Sequence, residues 1–432
     1  MSTVLGELTA PGARGTVVRP ADAAPAQVLR SPERLRSPER LRSSERLRSP
    51  ERLRPAEWLP VAAAHARRAD ELTAVWRAAR AAGQKHAIED FLFTYYPTRI
   101  THLRRWHPGA GVVLLLSDGG PGAPTADPTG PDPAGPDPAG SDSAGPGPVG
   151  PEPAGSDPTG LDPATSDPTD PEDRTAWRWH RSVAADPDAP DTPDADPDTP
   201  DAVTLDLDAF LADRGDTVRY VRDLLSATAA RPGTFGCFGL HEWAMVYRDR
   251  DTGRDQRHPL PLRLGHAGTD AVVESNPVRC SHFDAFRFFT PEATGRNQLR
   301  PTRATQVGME QPGCLHANMD LYKWCLKLGP AVPGDLLLDA FELARDIRWT
   351  DMAASPYDVS EYGVAAVEIE TSQGKAEYVR RQRDYARRSN DLRYRLIEVC
   401  DTVLGTRPRT STAATSIATQ PSTVTAQNGT AS

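Results

Sequence analysis

Apolar positions along this chain recur mostly at helical spacing. Residues 62–82 are rich in Ala and Arg, with Leu72, Val75 and Trp76 at helical spacing, and Gly83 ends the run. Residues 86–96 (HAIEDFLFTYY) predict a second, apolar helix stopped by Pro97. Val218, Val221, Leu224 and Leu225 share one face of a helix over 217–230. Further helices are expected over 312–328 and 333–354, followed by a long basic helix over 374–404. Tyr385, Leu392, Leu396, Val399 and Val403 form its stripe. Strand signals are fewer. VVLLL at 112–116 and the alternating TAWRWHRSV at 175–183 predict two paired strands, and short strands are expected at 260–264 and 367–370. The fold class is α+β, predominantly α-helical: a single globular body with a small β element and a long disordered insertion.

Segments without such periods punctuate this pattern. SPERLR or SSERLR recurs four times over 31–54. One Leu per six residues, with a recurring Pro, buries too little to fold, so 1–55 is expected to be disordered. Residues 118–202 are built of Asp, Pro, Ala, Thr and Gly, an extended acidic composition interrupted by the strand at 175–183. If that strand pairs with 112–116, the block is a long hairpin insertion inside one domain. The folded parts are then 56–117 and 203–406, with a Ser/Thr/Ala-rich disordered tail over 407–432. The 42 prolines and the 38% hydrophobic content reflect these segments; without them roughly 270 residues remain, the size of one large domain or two small ones.

Charge needs the same correction. The net charge of −9 lies mostly in the acidic block, so the remainder is near neutral or basic and a DNA partner is not excluded. The five cysteines are an odd number with no CxxC pair, which argues against a secreted disulfide framework. The N-terminus has no signal-like apolar core and no run approaches 18 apolar residues. A cytoplasmic protein without a membrane span is expected.

Candidate chemistry concentrates in 235–358. In FGCFGLHEWAMVY (235–247), Gly236 and Gly239 predict a tight turn opening a helix with His241 and Glu242 in its first turn. In CSHFDAFRFF (280–289), His282 and Asp284 would point the same way from an extended segment. In CLHANMDLYKWCLK (314–327), His316 and Asp320 stack one helical turn apart, with Lys323 near that line and Asn318, Tyr322 and Trp324 beside them. In 339–358, Glu342, Arg345 and Asp346 could line a cleft, although a solvated charged face is the preferred account. Capping and surface pairing is likewise preferred for Glu89 and Asp90.

These residues suit two chemistries. Carboxylates Glu242, Asp284 and Asp320 with His316 offer acid–base catalysis, and His241, Trp243, His282, Tyr322, Trp324 and Asn318 offer polar and aromatic surfaces for a substrate ring. Alternatively, His241, His282, Asp284, His316 and Asp320 supply the N and O donors of a divalent metal site, although no cofactor is required by any motif. No Walker loop, GxSxG, HExxH or GxGxxG after a strand is present.

The strings KHAIEDFLFTYY, FGCFGLHEWAMVYR, HFDAFRFFTPEA, PTRATQ, QPGCLHANMDLYKW and ASPYDV resemble an actinobacterial family commonly labelled 3-methyladenine DNA glycosylase. The resemblance spans 56–403 apart from the acidic insertion. It implies a DNA-repair hydrolase that cleaves the N-glycosidic bond of an alkylated purine in DNA. The chain lacks the apolar–Pro–Gly–x–Gly hairpin and following Asp of helix-hairpin-helix glycosylases, so no catalytic residue is carried over from those enzymes. Three functions therefore compete: a DNA-base N-glycosylase, a metal-dependent enzyme acting on a small molecule through a His/Asp site, and a non-enzymatic binding module.

Overall fold

The computed structural model describes residues 51–117, 172–184, 202–250 and 260–405. The first three repeat units, most of the acidic block and the whole tail over 407–432 lie outside the described residues. The last repeat unit is an exception to the expected disorder. Its Glu51–Leu53 forms strand β1, which pairs in parallel with β2 (Val112–Leu115).

The sheet corrects the expected pairing. Residues 112–116 do not pair with the 175–183 island. Strand β4 (Ala202–Leu205) lies between β2 and β3 (His180–Val183), giving the order β1-β2-β4-β3 with both β4 pairings antiparallel. Burial explains the order. β4 (AVTL) is almost wholly buried and suits the interior, whereas β3 (HRSV) is half exposed and suits an edge. Thr204 Oγ1 adds a bond to the Val112 carbonyl, 2.8 Å. The alternating tryptophans are not in the strand: Trp179 sits at φ 61° in the turn before it. Its carbonyl accepts from Asp206 N, which fixes the entry to the next helix.

Helices supply the rest. The expected helix over 62–82 begins earlier, as α1 (Pro55–Leu72), and breaks before α2 (Ala74–Ala81). Pro55 at its first position needs no N–H partner. Thr73 turns its hydroxyl back to the Ala69 carbonyl at 2.7 Å, a local bond that competes with helix continuation. Residues 86–96 form one helical turn, α3 (Phe91–Thr94), instead of a full helix. Here His86 Nδ1 accepts from Ile88 N and Glu89 N, and the Asp90 carboxylate accepts from His86 N. α4 (Ile100–Arg104) follows, and α5 (Leu207–Ala229) starts ten residues before its expected bound at 217 because Asp206 caps Ala209 N. Short helices α6 (Leu240–Ala244), α7 (Gly265–Ser275), α8 (Phe283–Phe286), α9 (Pro291–Thr294) and α10 (Gln306–Met309) link α5 to three long ones. These are α11 (Leu315–Leu328), α12 (Gly334–Ala353) and α13 (Ser372–Val403), close to their expected bounds. The strands expected at 260–264 and 367–370 reduce to a single bridge, Leu262 with Tyr357.

α11, α12 and α13 pack on one another, and α5 lies against α13. Their core holds Val221, Leu224, Leu321, Tyr322, Phe341, Ile347 and Leu396, all fully buried or nearly so. A second core of Trp58, Ala62, Trp106, Leu114 and Val203 joins α1 to the sheet. Arg174 closes its side. The guanidinium is stacked over Trp58 and Trp177 at 4.6 and 4.8 Å from the ring centres and donates to the Trp106 carbonyl. Burial pushes its pKa down to about 10. No helix among the described residues is long and apolar enough to cross a membrane.

The sheet end holds three histidines whose basicity is reduced. Burial pushes the His107 imidazole well below its ordinary 6.5, with His180 and Arg174 adding repulsion. Burial also lowers His65 and His180. The unfolded chain takes up these protons near pH 6.5 and the folded chain does so at lower pH. Their contribution to stability is therefore complete above about pH 6.5 and is lost as pH falls below it. The urea midpoint should decline between pH 7 and pH 5, and His107→Asn should flatten part of that decline. An equal decline in the wild type and His107→Asn contradicts the assignment.

Candidate functional site

The site begins at a turn. Phe238 (φ 50°) and Gly239 (φ 72°) adopt left-handed backbone, which reverses the chain into α6. A Cβ at Gly239 would press on the Tyr378 ring. Leu240, Trp243 and Ala244 then enter the core, while His241 and Glu242, also buried, meet polar partners. A second constraint is Gly313, where a Cβ would overlap the Thr234 carbonyl. The Gln311 amide oxygen accepts from Thr234 N at 2.8 Å and Gly313 N at 2.7 Å, fixing this loop against the start of α11.

The three histidine clusters converge. The His241 and His316 rings meet edge to face at 4.5 Å, and His316 and His282 stack at 5.4 Å. His241 Nε2 contacts both oxygens of Asp351, at 3.1 and 3.2 Å, and its Nδ1 lies 3.5 Å from Cys237 Sγ. Arg348 Nη1 donates to Glu242 Oε1 at 3.0 Å and lies 3.8 Å from Asp351. On the other side His282 Nε2 is 3.4 Å from both Glu310 Oε1 and Asp320 Oδ2. Lys323 bridges Asp320 (3.1 Å) and Asp284 (2.8 Å), and Tyr96 donates to Asp320.

These contacts set unequal charge states. Burial opposes a charge on His241, but the Asp351 carboxylate outweighs it and holds the ring well above its ordinary range. Burial holds His316 well below that range, and the neighbouring His241 cation adds to the effect. One ring is thus an imidazolium and its neighbour a neutral imidazole. Against the cost of burial, Lys323 and His282 keep Asp320 ionised, and Asp320 and Glu310 raise His282. Burial raises Glu310.

A cavity of about 20 Å³, room for roughly one water molecule, opens between Cys237, His241, Cys280, Gln311, Cys314 and His316, with Arg279, Tyr378 and Gln382 completing its wall. Two buried groups could hold a metal ion: His241, Glu242, His316 and Asp351, and separately His282, Glu310 and Asp320.

The expected donor set is thus divided between two groups. Asp284 belongs to neither, because it is committed to Lys323 and Arg287. His282 and Asp284 do not share one side of an extended segment: His282 precedes the first turn of α8, which carries Asp284 toward Lys323. Several residues expected at a substrate surface are packing residues instead. Trp243 is fully buried and donates to the Ala354 carbonyl. Tyr322 is wedged between Tyr96 and Phe341, and Trp324 lies beneath Lys323. Asn318 donates to the Pro312 carbonyl and accepts from Arg393. Glu342, Arg345 and Asp346 pair with Arg68, Glu89 and Arg388 rather than lining a cleft. Glu89 is not a surface residue, since its buried carboxylate accepts from Arg345 and Trp349.

Sequence reasoning missed Asp351, Glu310 and Cys237. Asp351 had a signal. Leu337, Phe341, Ala344, Arg348 and Asp351 recur at spacings of four and three along the buried face of α12, so an apolar stripe runs on into two charges. No family model, curated protein or solved structure matches this chain. Function must then be argued from the site.

Removing one partner of the buried Arg348–Glu242 pair takes from the other the opposite charge at 3.0 Å. Arg348→Met should cost about 3–5 kcal/mol, and adding Glu242→Gln should restore part of the loss. Denaturant unfolding of the single and double variants measures both. Equal stabilities of the two variants would remove the pairing argument.

Proposed function

We propose that this chain is a metal-dependent hydrolase whose divalent cation is held by His282, Glu310 and Asp320 behind the His316 wall of the cavity. One observation carries the reading. Neither ring nitrogen of the fully buried His282 has a hydrogen-bond partner among the described residues, yet two buried carboxylates stand 3.4 Å from its Nε2. That spacing is long for an N–H···O bond. It equals the ligand–ligand edge of a tetrahedral site, about 3.4 Å for bonds of about 2.1 Å. Charge supports the same reading. Lys323 is shared between Asp320 and Asp284, whereas Glu310 meets no ammonium or guanidinium within ion-pair distance among the described residues.

A cation held there would polarise a bound water or a substrate oxygen. The water-sized cavity beside it suits hydrolysis. The first donor group is less suited to a cation, because its His241 is already bonded through both ring nitrogens, to Cys237 and Asp351. Elemental analysis of the purified protein should find a divalent ion, and added Zn²⁺ should raise the melting temperature. Saturation at 100 times Kd corresponds to about 2.7 kcal/mol. Glu310→Gln should abolish that rise. A metal-free protein whose melting responds to neither Zn²⁺, Mn²⁺ nor chelator sinks the reading.

A second reading is the removal of an alkylated purine from DNA. It draws support from the resemblance and from the Arg-rich helix α13, whose Tyr378 and Gln382 reach the cavity wall. A flipped base is far larger than the cavity, so this reading requires the walls to part. Release of 3-methyladenine from alkylated DNA, lost in Asp320→Asn, is the expected outcome. No release where a control glycosylase acts removes it.

A further inference from the structure

We propose that Cys237, half-buried at the edge of the cavity, is a thiol nucleophile, with the His241 imidazolium as its partner and Asp351 as the carboxylate that orients the ring, acting on a small anionic acyl compound that meets the sulfur from outside the water-sized cavity. The proposal uses none of the three residues assigned to the cation and stands without it.

The geometry is a relay. His241 uses one ring nitrogen for the thiol, at 3.5 Å, and the other for Asp351, at 3.1 Å. A nucleophile within hydrogen-bond reach of a base that a third group orients is the arrangement nucleophilic catalysis requires. The left-handed turn at Phe238 and Gly239 produces it. Cys237 O accepts from Leu240 N, so the thiol is folded back over the first turn of α6, four residues before His241. Strained backbone of this kind collects at working sites.

The other cavity thiols lack this setting. Burial pushes the thiols of Cys280 and Cys314 up, and neither is bonded to an imidazole among the described residues. Asp351 holds His241 as an imidazolium, and its Nδ1 stands 3.5 Å from the Cys237 sulfur. The groups facing His241 are Asp351 and Arg348 of α12, His316 of α11, Glu242 beside it on α6, and Cys237. Tyr378 of α13 lies across the cavity.

The step balances without a redox partner. The reacting pair is the Cys237 sulfur as thiolate beside the His241 imidazolium, whose Nδ1 holds the proton. The thiolate attacks the acyl carbon, a C–S bond forms, and the bond to the leaving group breaks as His241 gives the proton to it. Water then cleaves the thioester and returns a proton to His241, regenerating the thiolate and releasing a carboxylic acid. Gln311 is placed to stabilise the developing oxyanion. Its amide oxygen is occupied by two backbone N–H groups, while its Nε2 lacks a partner among the described residues. Arg279 at the rim supplies positive charge for an anionic substrate.

The test is alkylation of native full-length protein with iodoacetamide, mapped by peptide mass and run with chelator and with added Zn²⁺. Cys237 should react at least about tenfold faster than Cys314, as expected for a thiol activated by an imidazolium. Asp351→Asn should slow the labelling of Cys237 and leave that of Cys314 unchanged. p-Nitrophenyl acetate should leave an acetyl group on Cys237 in the wild type and none in Cys237→Ser. Circular dichroism of that variant controls for folding. Alkylation of Cys237 no faster than Cys314 overturns the proposal. Alkylation blocked by Zn²⁺ and restored by chelator overturns it as well, because the thiol would then be a metal ligand. Loss of the cation in Glu310→Gln without change in Cys237 labelling separates this proposal from the metal reading.

Discussion

Arg348 and Asp351 stand one turn apart on the buried face of α12, where together they neutralise Glu242 and His241 of α6. Four charges out of water are costly unless every one is matched in position as well as sign. The pairing therefore fixes the register of α6 on α12, and with it the turn that carries Cys237. It also decides the state of the cavity. An imidazolium at His241 adds to the burial that keeps His316 neutral, so the protonation of one wall depends on a contact made behind the other.

The legible parts of the fold were those with a period. α11, α12 and α13 each repeat their apolar faces over nearly four turns or more, and their ends fall next to Gly, Pro or Thr. Short helices escaped. α6, α8 and α10 run four or five residues, too few for a 3.6-residue pattern, and their positions follow from tertiary contacts. Strand order was also hidden. The pattern of the sequence marks only 112–116 and 175–183 as strands there and pairs them with each other, whereas burial of Ala202, Val203 and Leu205 requires β4 in the middle.

The site was legible as three histidines and illegible as a network. His241, His282 and His316 drew attention because each lies in a polar–aromatic string. Their carboxylate partners Asp351 and Glu310 lie far along the chain from His241 and His282, and sequence spacing says nothing of such pairs. The aromatic residues misled for a related reason. Trp243, Tyr322 and Trp324 flank the histidines in sequence because a helix turns its polar and apolar faces past each other. Side chains one or two positions from a site residue are therefore directed into the core.

Strand β1 is the ERL triplet of the last repeat unit, and the same triplet stands in each of the three units before it. Direct repeats in coding DNA gain and lose whole copies by replication slippage. Removal of any upstream unit leaves an identical triplet joined to Pro55, so the strand and the start of α1 are preserved. The residues that make β1 and begin α1 are thereby the same whatever the number of units upstream.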